Sequence, residues 1–379
     1  MTEPLVSIVV TSYNYGHYLR AAIDSALAQD LPSTEVIVVD DGSSDDSPDI
    51  IRRYGDRITA VLKPNGGQAS AFNAGFALAA GTAVVFLDSD DVLYASAAAS
   101  AVRALDDPAV HVHWPMEEID AEGTLTGRRI PHGAQRAGDL LEEMARCGPL
   151  ADLHTPTSGN AWSRRFLDQV MPMPEADFVV APDAYLFTLS PTYGHLRHID
   201  TPLSAYRGHG SNAYHTRALS LKLGLDVRLW DVRCRLLEQR FADLGRRVDT
   251  TRWRGEDTPY GWMLRCSRTL DEIARVIPEG ARYVLLEAGE FGHGDVVPGR
   301  CAVPLIERDG MDFGPPQDDA AAIAALADQW ASGARYLILL FPAFWWRDIY
   351  RGFIAYVRVR YRRVLENERL VAFDLDTCP

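Results

Sequence analysis

Through the first hundred positions the apolar residues fall into short continuous runs, each closed by polar residues, with helical periodicity in the gaps. Val6 to Val10, Glu35 to Val39, Ile58 to Leu62 and Val84 to Leu87 are too short for helices and too uniformly apolar for a half-wet sheet. That pattern predicts strands buried on both faces. Between them, about His17 to Gln29 carries Leu19, Ile23, Ala26 and Leu27 on one helical face. Ser47-Pro48 reads as an N-cap with proline at the first helical position. Gln68 to Ala80 reads as a small-residue helix stopped by Gly81. Strand and helix alternate throughout, which predicts a parallel, right-handed α/β half-domain.

After Ala109 the pattern loosens. His111 to Trp114 and Thr124 to Ile130 read as strands around an Asp120-Ala121-Glu122-Gly123 turn, with His111 and His113 as satisfied structural histidines. Pro156 to Trp162 is a turn-rich segment entering a helix. Ala218 to Leu244 is an amphipathic helix, and Thr250 to Leu264 a Trp-rich, irregular connector. From Ile273 a smaller α/β pattern begins. Its elements are a strand at Tyr283 to Glu287, a helix at Asp318 to Ala331 and a strand at Tyr336 to Phe341. A helix at Arg347 to Val357 and a hairpin of Arg362 to Leu365 with Leu370 to Leu375 complete it. The expected organisation is a catalytic domain over 1–215 (halves 1–105 and 106–215), a helical connector over 216–272 and a small α/β domain over 273–379.

Composition narrows the partners. With 379 residues the chain has room for two domains, and 47% hydrophobic and 24% charged residues describe an ordinary globular protein. A formal net charge of −14 argues against duplex nucleic acid. Five scattered cysteines without a C-x-x-C pair suggest neither zinc nor a disulfide framework, which fits a reducing, cytoplasmic setting. The opening MTEPLVSIVV lacks the positive stretch of a signal peptide. The apolar stretch Tyr336 to Trp346 falls short of the roughly 20 residues a membrane span needs. Arg347, Arg351, Arg358, Arg360, Arg362 and Arg363 flank late aromatics, which suits a solvated domain face or peripheral contact with an anionic membrane.

Candidate chemistry gathers at strand ends. Thr11 and Tyr13, Asp40 and Asp41, and Asp88 and Asp90 close the first, second and fourth of these strands, where open α/β sheets place ligands. Asp88 and Asp90, two apart, can offer hard oxygen ligands to Mg²⁺ or Mn²⁺, leaving water or substrate phosphate to complete the shell. The alternative for that pair alone is a solvated acidic turn with Asp91 capping a helix. Ala181-Pro182-Asp183 opens an apolar helix, where an acid suits the dipole without any function.

The ordered segments VSIVVTSYNYGHYL, VIVVDDGSSDDS, NGGQASAFNAGFALAAG and VVFLDSDD resemble the nucleotide-sugar-binding half of the family 2 glycosyltransferases of GT-A fold, over about residues 5–105. The resemblance implies a nucleotide-diphosphate sugar donor, a divalent cation (Mn²⁺ or Mg²⁺) and inversion at the anomeric carbon. It places Thr11 and Tyr13 beside the base, Asp41 as acceptor of a hydrogen bond from it, and Asp88 on the ribose. Asp90 would hold the metal, while Asn65 and Asn73 match segments lining the donor pocket. Many members carry Arg where this chain has Phe72, so its phosphate contacts must come from elsewhere. Asp183 matches the inverting members' base, although they usually carry Glu-Asp where this chain has Pro-Asp; Asp177 is the runner-up. Tyr206-Arg207-Gly208-His209-Gly210-Ser211-Asn212 resembles the family's Tyr-Arg-x-His-x-x-Asn signature, with Arg207 near the leaving group and His209 on the metal or a phosphate.

The expected function is transfer of a sugar to a glycan, lipid-linked or small-molecule hydroxyl in cell-surface polysaccharide or glycoconjugate synthesis. UDP-sugars suit Asp41 best, without excluding guanine or thymine. The rivals are a sugar-nucleotide-binding protein without transfer activity and a nucleotidyltransferase. The latter would carry a Gly-rich, cationic loop after the first strand, where this chain has Ser12 to His17. Gly289 to Gly294 (GEFGHG) lacks a dinucleotide fingerprint.

Overall fold

The computed structural model describes residues 6–133, 135–150, 155–210, 218–308 and 311–377. Its chain divides into two compact units, Met1–Asn212 with Leu229–Arg254, and Ala213–Arg228 with Gly255–Pro379. Residues 216–272 are therefore shared between the two.

The first unit begins with β1 (Val6–Ser12), α1 (Gly16–Leu27), β2 (Thr34–Asp40), α2 (Ser47–Arg52), β3 (Thr59–Leu62), α3 (Gln68–Phe76) and β4 (Ala83–Asp88). It continues through β5 (Val92–Leu93), α4 (Ala97–Ala104), β6 (Ala109–His113), β7 (Met116–Ile119), β8 (Leu125–Ile130) and α5 (Leu141–Cys147). β9 (Asn160–Ser163), α6 (Arg164–Val170), α7 (Asp183–Leu189), β10 (His195–His198) and β11 (Ser204–Arg207) complete its main body. The seven-stranded sheet runs β10-β6-β9-β4-β1-β2-β3, with the last four mutually parallel and β9 antiparallel to both neighbours. A smaller sheet, β5-β11-β7-β8, lies beside the ends of β4 and β6 in sequence.

The expected double burial holds. Ile8, Val10, Val36, Val38, Val85 and Leu87 face one core, while Val9, Ile37, Val39, Val84 and Phe86 face the other. The edge strand β3 is the exception, its residues mostly exposed. Three local readings are corrected. The 111–114 strand joins the large sheet through Trp162 and Asn160, and β7, not it, pairs with β8 across the Asp120 turn. The 156–162 segment does lead into a helix, α6, but its second half is first the strand β9, where His111 stacks on Trp162 at 3.9 Å and bonds Asn160 at 2.9 Å. The 68–80 helix stops at Phe76, because the Arg164 guanidinium captures the carbonyls of Ala79 and Gly81 beyond it.

Helix α8 (Leu219–Asp243) follows, and from Leu229 onward it belongs to the first unit, packing Leu229, Val232 and Leu236 on the second of these cores. The second unit contains α9 (Pro259–Val276), started by the Thr258 cap, so the expected helical connector is helical here, and the stretch expected to be irregular regains regular helix from Pro259. Its five-stranded sheet is assembled from β12 (Arg282–Leu286), β13 (Cys301–Val303), β16 (Ala334–Leu340), β17 (Arg362–Glu366) and β18 (Leu370–Asp374). The order is β13-β12-β16-β18-β17, parallel through the first three strands and antiparallel thereafter. A two-stranded ribbon, β14 (Glu307–Arg308) with β15 (Met311–Asp312), and α10 (Asp319–Ala331) lie between β13 and β16 in sequence. The helix expected at 347–357 is broken at Tyr350 into α11 (Trp346–Ile349) and α12 (Arg351–Arg360). The Asp319 carboxylate accepts from the amides of Gly352 and Phe353, and so starts a second helix.

Candidate functional site

Parallel register brings the polar strand ends together. Thr11 lies opposite Val39 on one side and Asp88 on the other, and Ser12 opposite Asp40. The carboxyl edge of β1, β2 and β4 is thus one polar strip. Beyond it, Asn14 takes a left-handed φ of 58°, and its Oδ1 accepts from the Ser44 amide at 2.7 Å. Tyr13 is half exposed beside it.

Asp41 is buried, and both its oxygens are engaged. Lys63 Nζ donates at 2.5 Å and the amides of Gly66 and Gly67 at 3.0 and 2.7 Å. The carboxylate therefore shapes the 65–67 turn and leaves Asn65 exposed at its tip. Gly67 sits at φ 88° and ψ 168°, a conformation only glycine holds without strain. Asn73 points away from this edge: its amide donates to the Met173 carbonyl and to Glu175, and its oxygen accepts from the Met173 amide. It latches the segment leading to Asp183. Phe72 is fully buried and stacked on Phe86 at 4.0 Å, so this position cannot supply a phosphate contact.

At the end of β4 the acids crowd. Asp88 Oδ1 accepts from Gln68 Nε2 at 2.8 Å, and its amide donates to Ser158 Oγ at 3.1 Å. Burial, then the charges of Asp90 and Asp183, push Asp88 up to about 8. Asp91, which sequence reasoning treated only as a cap, is buried and accepts from the Arg207 amide at 2.9 Å. Burial, then Asp90 and Asp88, hold it well above the usual carboxylate range. Its Oδ2 is buried without a hydrogen-bond partner among the described residues.

The β11 loop faces these acids. His209 Nε2 lies 3.1 Å from Asp90 Oδ2, with its ring against Tyr18 and Tyr15 at 4.8 and 5.5 Å. Tyr15 is pushed up to about 12 by burial and then by Asp90 and Asp88, so it stays a neutral phenol. Arg207 is buried, and its guanidinium donates to the carbonyls of Asp90, Asp120 and Ala121. It fixes the Asp90 backbone. The expected Asn212 lies outside the described residues.

Asp183 opens α7 on the other side of Asp88. Oδ2 accepts from Thr157 Oγ1 at 3.2 Å and Oδ1 from the Ala184 amide at 2.9 Å. Burial lifts it above the usual carboxylate range, while Thr157, the Ala184 amide and Arg233 act to lower it. The preceding Ala181 carries a left-handed φ of 61°, a strained backbone for a residue with a Cβ, directly at the entrance to this acid. Asp177 is exposed, with no hydrogen bond or ion pair to the cluster among the described residues.

The fold therefore gathers Thr11, Asp88, Asp90, Asp183, Arg207 and His209. It commits Asp41 and Asn73 to loop scaffolding. Gln68, Asp91, Thr157, Ser158 and Arg233 were missed; Gln68 and Thr157-Ser158 stood inside segments already singled out, whereas nothing in α8 marked Arg233. His111 and His113 are buried, bonded to Asn160 and to the Arg136 carbonyl, and held below the usual imidazole range by burial, His113 at about 4. They are neutral structural histidines.

The donor set fits a divalent cation. Asp90 Oδ2 and His209 Nε2 stand at the separation of two adjacent ligands, beside an Asp91 oxygen that finds no hydrogen-bond partner among the described residues. In the second unit Glu287, His293 and Asp312 also lie within metal-ligand spacing, but each has a local job. Glu287 takes the amides of Glu290 and Phe291, Asp312 that of Gly314, and His293 meets the Leu285 carbonyl.

A parallel α/β sheet with acids gathered at its carboxyl edge places a ligand site at that edge. The glycosyl transferase family 2 model matches residues 7–170. An uncharacterized glycosyltransferase of Nostoc sp. is 33% identical over 218 residues, covering 56% of this chain and 67% of its own. The chain belongs to glycosyltransferase family 2. An uncharacterized glycosyltransferase of Rickettsia prowazekii is 42% identical over 121 residues, 31% of this chain and 38% of its own. The chondroitin synthase of Pasteurella multocida is 36% identical over 127 residues, only 13% of that protein. Among solved structures, S. aureus TarS with UDP-GlcNAc aligns at TM-score 0.47 and 18% identity, covering 71% of this chain and 87% of that one. Family membership rests on the sequence matches. No helix among the described residues is long and apolar enough to cross a membrane.

Proposed function

We propose that this chain is an inverting, divalent-cation-dependent transferase that moves a sugar from a nucleotide diphosphate to an acceptor hydroxyl. The observation that carries it is the pairing of Asp90 Oδ2 with His209 Nε2 at 3.1 Å, with a second carboxylate, Asp183, set apart across Asp88. Asp90 and His209 would hold the cation, which when bound stabilises charge on the leaving diphosphate. Arg207 fixes Asp90 by its main chain. Thr11 and Tyr13 border the space for the base, and Asp41 holds the 65–67 turn as its wall. Asp88 is left for the ribose, with Gln68 orienting it.

Asp183 would take the acceptor proton at a carboxylate oxygen as the new bond forms. Thr157 and the Ala184 amide occupy one lone pair on each oxygen and leave others for the incoming hydroxyl. Its raised proton affinity suits that task, because a general base works best near the operating pH. Direct displacement by one base, without a covalent enzyme intermediate, gives inversion. A nucleotide-diphosphate sugar donor, its base left to the binding test because Asp41 is taken by the 65–67 turn, and a polysaccharide or glycoconjugate acceptor complete the reading.

Calorimetry with UDP-, GDP- and dTDP-linked sugars, in Mn²⁺ and in EDTA, tests it. One nucleotide class should bind with Mn²⁺ only, Asp90→Asn should abolish that dependence, and Asp183→Asn should bind normally but not transfer. Equal binding in EDTA, or collapse of donor affinity in Asp183→Asn, would overturn the respective assignment.

A further inference from the structure

We propose that Arg233, reaching α7 from helix α8, is the counter-charge that holds Asp183 as a carboxylate and is thereby a positioning residue for transfer. The proposal rests on Asp183 as the base. Arg233 lies 50 residues beyond α7's first residue in sequence, past the Tyr-Arg-x-His segment, and belongs to the same compact unit.

Arg233 is 4% exposed. Its Nε donates to Thr188 Oγ1 at 2.7 Å and its Nη2 to the Leu150 carbonyl at 3.1 Å. Thr188 Oγ1 in turn donates to the Ala184 carbonyl at 2.6 Å, and the Ala184 amide donates to Asp183 Oδ1. The guanidinium is thus bonded onto the helix turn that carries the acid. Its bonded partners are neutral oxygens, and no carboxylate among the described residues stands within ion-pair distance. A guanidinium stays charged in a protein, and burying that charge costs several kcal/mol unless an anion answers it.

The anions within reach can be sorted. Cys234, next in sequence, is pushed up to about 11 by burial and is a neutral thiol at working pH. Asp231 and Glu238 are taken by Arg254, at 3.0 and 2.9 Å. Asp183 remains, and the two groups shift each other in the directions opposite charges require. From β4, Asp88 faces Asp183 with the same sign, and Thr157 donates to it from the 157–159 turn. Burial raises the proton affinity of Asp183, and Arg233 is the one cation that opposes it among the groups acting on it.

The test uses full-length protein in EDTA, labelled with [¹³C-carboxyl]aspartate, with the Asp183 resonance identified by its loss in Asp183→Asn. Arg233→Gln should raise the Asp183 titration midpoint by about one pH unit or more, and Arg233→Lys should restore it toward wild type. Should Arg233→Gln fail to fold, the wild-type Arg233 ¹⁵Nε resonance serves instead. It should move with pH at the Asp183 midpoint, and the movement should vanish in Asp183→Asn. An unmoved midpoint in folded Arg233→Gln, or an Arg233 resonance indifferent to Asp183, would overturn the proposal. Full transfer by Asp183→Asn would instead sink the base reading and leave the electrostatic pairing standing.

Discussion

Replacing Asp88 by Asn should stabilise the ligand-free protein while destroying transfer. The carboxyl is pushed up to about 8 by burial, then by Asp90 and Asp183. A carboxylate whose folded proton affinity exceeds its unfolded one binds more protons in the folded state. Its contribution is therefore fully present below about pH 4 and lost as pH rises toward 8. Between the ordinary value of 3.8 and pH 7 lie about three pH units, each about 1.36 kcal/mol, which sets a ceiling of about 4 kcal/mol. Water reaching a partly buried acid that shares its site with two others reduces this, so a gain of about 2 kcal/mol at pH 7 is expected. Asn keeps an oxygen for Gln68 and removes the charge. Urea unfolding in EDTA at pH 5, 6, 7 and 8, with the first unit followed by its buried Trp114 and Trp162, reads the difference. The gap between variant and wild type should widen with pH up to about 8. A variant less stable than wild type at pH 7, or a gap independent of pH, would refute the electrostatic account of this edge.

Three further outcomes follow from other contacts. Asn73→Ala removes three hydrogen bonds to the 173–175 segment and should cost about 1–3 kcal/mol by denaturation, with faster proteolysis between Met173 and Pro182. Gly67→Ala would strain a glycine-only backbone and put a Cβ 2.9 Å from Val179 Cγ1, costing about 1–3 kcal/mol and weakening donor binding measured by calorimetry. Arg207→Lys cannot reach the three carbonyls that Arg207 spans, so Mn²⁺ affinity read by electron paramagnetic resonance should fall about 10-fold or more.

The strands and their polar ends were legible in the sequence because double burial writes an unambiguous apolar run, and because parallel register turns equal run lengths into one shared edge. Asp88 and Asp90 were singled out for that reason, and Asp183 and His209 by the family-like segments around them. What each polar atom does was not legible. Asp41 and Asn73 are consumed by loop bonds at sequence separations of 22 to 26 and about 100, which no local pattern encodes. Likewise the second half of the turn-rich segment at 156–162 is a central strand, paired with β4 and β6 and stacked through Trp162 on His111, which no local pattern shows. Asp91 looked like a cap, since nothing local says that Arg207, 116 residues later, donates its amide to it. Arg233 is the extreme case: its helix reads as an ordinary amphipathic pattern, and only packing buries its charge behind α7. The sequence determined which residues can form a strand end and which can bind a cation; tertiary packing decided which carboxylates lose water and which partners answer them, because desolvation and charge pairing depend on distance in space.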